Sequence, residues 1–185
     1  MTTREHIVQL GDRLIRDRGF NAFSFYDISK ELNIKNASIH YYFQTKTDLG
    51  ISILKDHQAK LHSLIQATAA KNPQAKLNAF LSIYSTIKSE GRVCLVGSLA
   101  TDLNSVDPKM ADELKIFANE ILVWVSSIME EGKSTGVFSF DGSARTKALM
   151  IITNMLAALQ LSRLTKAGDF NIIKDEVVKE LKAKP

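Results

Sequence analysis

The chain has 185 residues, 45% hydrophobic and 24% charged, the ordinary make-up of a globular fold with room for a sizeable core. Its net charge of +4 permits a polyanionic partner without requiring one, and residues 1–60 hold nine Lys or Arg against seven Asp or Glu. A single cysteine excludes an internal disulfide framework and fits a reducing compartment, and the N-terminus MTTREHIVQL lacks the apolar core of a signal peptide, so the expected location is cytoplasmic.

Thr2, with Glu5 three residues on, reads as a capping box that opens a first helix, with Ile7, Leu10 and Leu14 on one stripe and Gly19 as its stop. Ser24 and Asp27 repeat the capping pattern ahead of a short amphipathic helix carrying Ile28 and Leu32 one turn apart. Asn33 favours a turn and tolerates positive φ, Ile34 is placed to plug the angle that follows, and Asn36 to Tyr42 predicts a second short helix that buries Ile39 and Phe43. Two short helices around a tight turn make a helix-turn-helix, and the second leaves Lys35, Asn36, Ala37, Ser38, His40, Tyr41 and Tyr42 on faces that can reach DNA. His40 has no Cys, Asp or second His at i+3 or i+4, which argues against a metal site.

Thr45 and Asp48 form another capping box, starting a helix with Leu49, Ile53 and Leu54 that runs past Leu61 to Ile65; about 25 residues make a rod of roughly 37 Å. Asn72-Pro73 stops and restarts the chain, and Leu77, Phe80, Leu81, Tyr84 and Ile87 mark the buried face of the next helix, which ends before Gly91. Residues 93–100 are short and apolar, 102–107 polar. Asp107-Pro108 opens a helix to about Lys133, the stretch Gly132 to Gly142 is a loop, a long helix covers Ser143 to about Lys166 with Gly168 closing it, and Asn171 to Lys182 is a last amphipathic helix with Ile172, Ile173, Val177 and Leu181 on its apolar face. The longest apolar-rich run, 148–161, is broken by Thr153, Asn154 and Gln160 and falls short of the roughly 20 residues that span a bilayer. No strand pattern competes, so the fold class is all-α: an N-terminal three-helix helix-turn-helix DNA-binding domain over residues 1–50, then a C-terminal helical ligand-binding and dimerisation domain over 51–185.

From about His6 to Leu54 the chain resembles the DNA-binding domain of the tetracycline-repressor (TetR) family, whose pattern runs Gly-Phe/Tyr, Thr/Ser-x-x-x-Ile, a turn, Leu-Tyr-x-His-Phe and x-x-Lys-x-x-Leu. The matching residues are Gly19-Phe20, Ser24 and Ile28, Ile39-His40-Tyr41-Tyr42-Phe43, and Lys46 with Leu49. His40 stands where the family has Tyr and Tyr42 where it often has His; both can still donate to a phosphate. The resemblance implies phosphate contacts from Ser24, His40, Tyr42 and Lys46, and base-facing positions at Tyr26, Lys35, Asn36, Ala37 and Ser38. Lys35 replaces a capping Ser, which makes Asn36 an alternative cap and would remove it from base reading.

The helices 108–133 and 143–166 are apolar around most of their circumference, through Ile116, Phe117, Ile121, Leu122, Val123, Trp124, Val125, Ile128 and Met129 in one and Leu149, Met150, Ile151, Ile152, Met155, Leu156, Leu159 and Leu161 in the other. Such helices need partners on several sides, and the family resemblance implies a homodimer through a four-helix bundle. A twofold dimer implies a palindromic operator in double-stranded DNA. Phe80, Tyr84, Cys94, Phe117, Ile121, Trp124, Met155 and Leu159 are candidate lining for a small apolar or electrophilic effector. The segment Cys94-Leu95-Val96-Gly97-Ser98-Leu99 is similar to the Cys-Leu-x-Gly-x-Leu signature of a family branch that answers reactive electrophiles and unsaturated acids, with Val93 where that branch has Gly and Arg92 as the local cation.

No catalytic spacing, glycine-rich phosphate loop or cofactor motif stands out, so an enzyme is not expected. The reading is a ligand-responsive transcriptional repressor, released from DNA when an effector tilts the long fourth helix. The alternatives are a small-molecule-binding helical protein with a non-functional helix-turn-helix, or a thiol-based sensor acting through Cys94.

Overall fold

Caps that are legible as i, i+3 pairs open three of the helices: Thr2 with Glu5, Ser24 with Asp27 and Thr45 with Asp48. The computed structural model describes residues 1–181, which form α1 (Thr3–Arg18), α2 (Phe25–Leu32), α3 (Asn36–Tyr42), α4 (Lys46–Thr68), α5 (Pro73–Ser89), α6 (Leu95–Thr101), α7 (Pro108–Ser134), α8 (Ala144–Leu161) and α9 (Asp169–Lys179), with a 3-10 turn at Phe20–Ala22. Thr2 and Glu5 make the expected reciprocal box at α1, and Gly19 ends it with φ 93°. Thr45 and Asp48 do the same at α4, with the Thr45 amide donating to Asp48 Oδ2 at 2.9 Å and the Asp48 amide to Thr45 Oγ1 at 3.1 Å. Asn72 Oδ1 accepts from the Ala75 amide at 2.9 Å, and Pro73 holds the first helical position of α5, where its missing N–H is not needed.

Four expectations need correction. Residues 95–101, read only as an apolar stretch, form α6; seven residues are too few to show a helical period. The helix from Ser143 stops at Leu161, not Lys166: the Ser162 hydroxyl turns back to Leu159 O and the Leu164 amide bonds Leu161 O, so the chain tightens into turns. Gly168 therefore caps the start of α9 and closes nothing. On α9 the buried face is Phe170 and Val177, with Leu181 buried in the turn after it, while Ile172 is 66% exposed and Ile173 also faces outward, because the helix begins two residues earlier and docks through Phe170. Lys182, the expected end of that helix, lies outside the described residues.

Packing divides the chain into two compact units, residues 1–60 with 93–118, and residues 61–92 with 119 onward. In the first, Ile7, Leu10 and Leu14 of α1, Ile28 of α2, Ile39 of α3 and Leu49 and Ile53 of α4 are buried together with Leu99 and Met110. Arg16 is buried among them. Its Nε donates to Val93 O at 3.0 Å and its Nη1 to Asp12 Oδ2 at 3.2 Å, while the other Asp12 oxygen lies 2.8 Å from His57 Nε2. Burial alone would raise the Asp12 carboxyl, but the hydrogen bond and charge of His57, with those of Arg16, outweigh it and hold the group below its ordinary value.

The second unit has its core in Leu77, Phe80, Leu81 and Tyr84 of α5, Trp124, Val125, Ile128 and Met129 of α7, Ile151, Met155 and Leu159 of α8, and Phe170 of α9. Phe138 folds back over Gly132, its amide donating to Gly132 O at 2.9 Å. A Cβ on Gly132 would fall 1.9 Å from Phe138 Cδ2.

Gly132→Ala is therefore expected to destabilise the second unit by about 1–3 kcal/mol, the usual penalty of overpacking, despite alanine's better helix propensity; urea unfolding followed at Trp124, which lies in that unit, measures it. For Asp12 the folded pKa is depressed, so its contribution is complete above the unfolded value of about 3.9 and is lost as pH falls through the folded value. Stability of the wild type should thus drop on acidification below about pH 4, and Asp12→Asn should be less stable by about 1–3 kcal/mol at neutral pH with a flatter acid limb, read by denaturant titrations at several pH values.

Candidate functional site

The turn between α2 and α3 is set by Asn33, which takes the left-handed conformation at φ 52°, ψ 46°; the Ile34 amide then returns to Ser29 O at 3.0 Å. Asn tolerates this conformation better than other side-chain-bearing residues, so the chain reverses in three residues and α3 crosses the end of α2. Ile28, Ile39 and Phe43 are buried by this crossing, Ile34 is half-buried, and the opposite side of α3 is left to solvent.

On that side Lys35, Asn36, Ala37, His40, Tyr41 and Tyr42 are exposed, with Ser38 half-buried. Tyr41 is 83% exposed and its ring meets that of Tyr42 edge-on at 5.0 Å. Tyr26 on α2 is 67% exposed. Lys35, not Asn36, is the N-cap residue of α3, its side chain making no cap bond, so the alternative cap is corrected and Asn36 stands at the first helical position with an uncommitted amide.

Three of the phosphate candidates have commitments of their own. Both the Ser24 amide and its hydroxyl donate to Asp27 Oδ2 at 2.7 Å, and these bonds hold the Asp27 carboxyl below the usual range. His40 Nδ1 lies 3.3 Å from Gln44 O. A carbonyl only accepts, so in that contact Nδ1 carries the hydrogen and Nε2 of a neutral ring is an acceptor; only the imidazolium donates from Nε2. The Lys46 ammonium donates to Phe23 O and sits 4.6 Å and 4.3 Å from the ring centres of Phe20 and Phe23. Burial lowers its pKa, and the charges of Asp102 and Asp27 act the other way.

The eight candidate effector residues fall in both units. Phe80 lies edge-on to Tyr84 at 5.4 Å and to Trp124 at 6.1 Å, and with Ile121, Met155 and Leu159 belongs to the second unit. Cys94 and Phe117 belong to the first unit, where Phe117 faces the His57 ring at 6.3 Å. A groove of about 440 Å³ between α5 and α9 is lined by Asn78, Leu81, Ser82, Ser85, Lys174, Asp175, Val178 and Lys179, none of the eight. Cys94 occupies the N-cap of α6. Burial pushes its thiol up, the Gly97 and Val96 amides and the charge of Arg16 pull it down, and the net shift is upward. The cation acting on this thiol from the first unit is thus Arg16 of α1, while Arg92, the cation expected from sequence, pairs with Glu90 at 3.3 Å.

Sequence reading missed the residues that tie the first unit together from a distance: Asp102, which accepts the Phe20 amide, and Arg4, which bonds Ser52 Oγ at 2.8 Å and lies over the Phe43 ring. Their partners are 39 to 82 residues away, and no local pattern announces them. No group of metal-ligating side chains is present among the described residues, and no helix among them is long and apolar enough to cross a membrane.

Comparison with known proteins agrees with this geometry. Residues 7–52 match the model for bacterial regulatory proteins of the tetR family, a span that contains α2, α3 and the cap of α4. The chain is 26% identical over 161 residues to the HTH-type transcriptional repressor DhaR of Mycobacterium sp. (strain GP1), covering 84% of this chain and 80% of that one. It is 21% identical over 171 residues to the HTH-type transcriptional repressor NemR of Escherichia coli (strain K12), covering 89% and 86%. The crystal structure of a TetR transcriptional regulator from Legionella pneumophila superposes with a TM-score of 0.88 at 29% identity, covering 98% of each chain. Residues 7–52 thus match the tetR-family model over the helix-turn-helix, and along most of its length this all-α chain is similar to transcriptional repressors and to a TetR transcriptional regulator of known structure.

Proposed function

We propose that the chain is a ligand-responsive repressor that binds a pseudopalindromic operator as a homodimer and leaves it when a small effector occupies the second unit. Residues 1–50 make the DNA contacts in this reading, and 51–185 sense and dimerise. The observation that carries it is the division of α3, with Ile39 and Phe43 inward and Lys35, Asn36, Ala37, His40, Tyr41 and Tyr42 outward. An exposed helix of this kind presents base-reading groups at its N-terminal end and phosphate-reaching groups at its flanks. Base-facing roles fall to Tyr26, Lys35, Asn36, Ala37 and Ser38, and backbone roles to Ser24, His40, Tyr42 and Lys46, with Tyr41 exposed beside them.

Dimerisation is supported by apolar side chains left uncovered: Ile116 and Val123 on α7, the latter 59% exposed, and Leu149, Met150 and Leu161 on α8. A second copy covering these faces would make a twofold dimer, and the operator of such a dimer has half-sites roughly 34–36 Å apart or a multiple of that. The aromatic cluster of Phe80, Tyr84 and Trp124 supports an apolar effector. A thiol sensor at Cys94 is disfavoured by the upward shift of its pKa, since the thiolate is the reactive form.

Selection from a random duplex library at one stated salt concentration is expected to enrich a palindrome; absence of enrichment from folded protein would remove the operator reading. Lys35→Ala should lower the slope of log affinity against log salt by about 1 if Lys35 neutralises a phosphate, and should relax base preference with little change in slope if it reads bases, as proposed here. Light scattering should give a dimer for the wild type, and Met150→Glu, on an exposed position, should give a folded monomer with much weaker operator binding. Mild electrophile treatment at neutral pH is expected to leave Cys94 unmodified in the folded protein, with adducts rising as pH increases; rapid stoichiometric labelling by mass spectrometry would restore the sensor reading.

A further inference from the structure

His40 lies in the last turn of α3, on its exposed side, and two contacts hold its ring. Its Nδ1 is 3.3 Å from the carbonyl oxygen of Gln44, and the ring meets that of Phe25, buried at the start of α2, at 5.1 Å with the planes 75° apart. The Gln44 carbonyl can only accept, so the contact places the hydrogen on Nδ1, and a neutral imidazole has a single N–H to give. Nε2 then presents a lone pair to whatever approaches this face. A phosphate oxygen also presents lone pairs, so the neutral ring is ill-matched to the backbone role assigned to it above. A second proton reverses this: the imidazolium keeps its bond to Gln44 O and donates from Nε2 as well, as a charge-assisted bond.

The titratable groups of the surrounding elements leave that charge unmatched within the chain. Tyr41 and Tyr42 share α3 with His40, Tyr26 stands on α2, and Lys35 is exposed just before α3. Asp27 of α2 accepts from the Ser24 amide and hydroxyl, Glu31 of α2 pairs with Arg13 of α1, and Asp48 of α4 accepts from Thr45. Arg4 of α1 donates to Ser52 Oγ and Lys46 of α4 to Phe23 O. Resting on the DNA-binding reading above, we propose that His40 takes up a proton when the operator binds, so that each protomer holds the DNA backbone more tightly as pH falls through the range in which an imidazole titrates. An imidazole gains its second proton near about pH 6.5, and a phosphate beside it favours the charged form. The His40 contribution is therefore complete where the free ring is already charged, and it is lost as pH rises through the titration of the bound ring.

The test uses the full-length protein and the duplex enriched in the selection, with affinity measured by fluorescence anisotropy between about pH 6 and about pH 8 for wild type and for His40→Tyr, whose phenol donates unchanged across that range. Wild-type affinity is expected to fall as pH rises, by up to about tenfold per protomer for each pH unit, and His40→Tyr should lose that part of the dependence. His6, His57 and His62 are common to both proteins, so the difference between the two profiles belongs to His40. The slope of log affinity against log salt for the wild type should be steeper at the acid end by about 1 for each imidazolium that neutralises a phosphate. Calorimetry of binding in buffers of different ionisation enthalpy counts the protons taken up by the wild type directly, and needs no substitution. Parallel pH profiles for the two proteins, or equal proton uptake, overturn the proposal and leave the DNA reading in place. A wild type that binds no duplex at any of these pH values shows itself separately and removes both.

Discussion

The left-handed residue at Asn33 is the constraint from which the reading surface follows. With three residues between α2 and α3, the chain has no slack to choose a crossing angle, and the one residue at positive φ decides it. Once the helices cross, Ile28, Ile39 and Phe43 must share the inner side, and Asn36, Ala37, His40, Tyr41 and Tyr42 are turned to solvent, with Ser38 half-buried. The short length of α3 reinforces this. Seven residues cannot stand as a helix on their own, so α3 exists only where Ile39 and Phe43 pin it.

Polar groups do comparable work deeper in the same unit. Arg16 is buried, yet its guanidinium has a carbonyl and a carboxylate within reach, and Asp12 in turn faces His57 of α4. Breaking such a pair leaves a charge without its partner, whereas apolar side chains can shift by an ångström at little cost. The network therefore defines a register between α1, α4 and the segment at Val93 more sharply than the surrounding leucines do. Ser98, whose hydroxyl donates to Ile15 O at 2.8 Å, adds a second buried tie between α6 and α1.

What was legible in the sequence was local. The capping pairs Thr2/Glu5, Ser24/Asp27 and Thr45/Asp48, the turn at Asn33 and the stop at Asn72-Pro73 each act over three or four residues, and the structure keeps all of them. The family pattern could be read for the same reason, since its marks sit within fifty residues. Less was visible where tertiary packing decides. Periodicity alone places Ile172 and Ile173 on the apolar face of α9, but Phe170 takes the core and leaves both outside. The helix at 95–101 is too short to show a period. Lys46 is charged and lies beside the reading helix, so sequence alone suggests a solvent-facing group; only the positions of Phe20, Phe23 and Asp102 turn it inward.

Residues 93–118 pack with the first sixty although the chain reaches them only after building α5. This has a bearing on how such a protein can exchange parts by recombination. A crossover that carries the first fifty residues to a different sensor leaves behind Asp102, Ser98 and Met110, so the Phe20 amide and the Ile15 carbonyl are deprived of their acceptor and donor, and Gly50 of the sulfur against which it is shaped. The inheritable unit is therefore two separated stretches of gene, and a hybrid joined at a single point has to find in its new host a segment that supplies the same contacts.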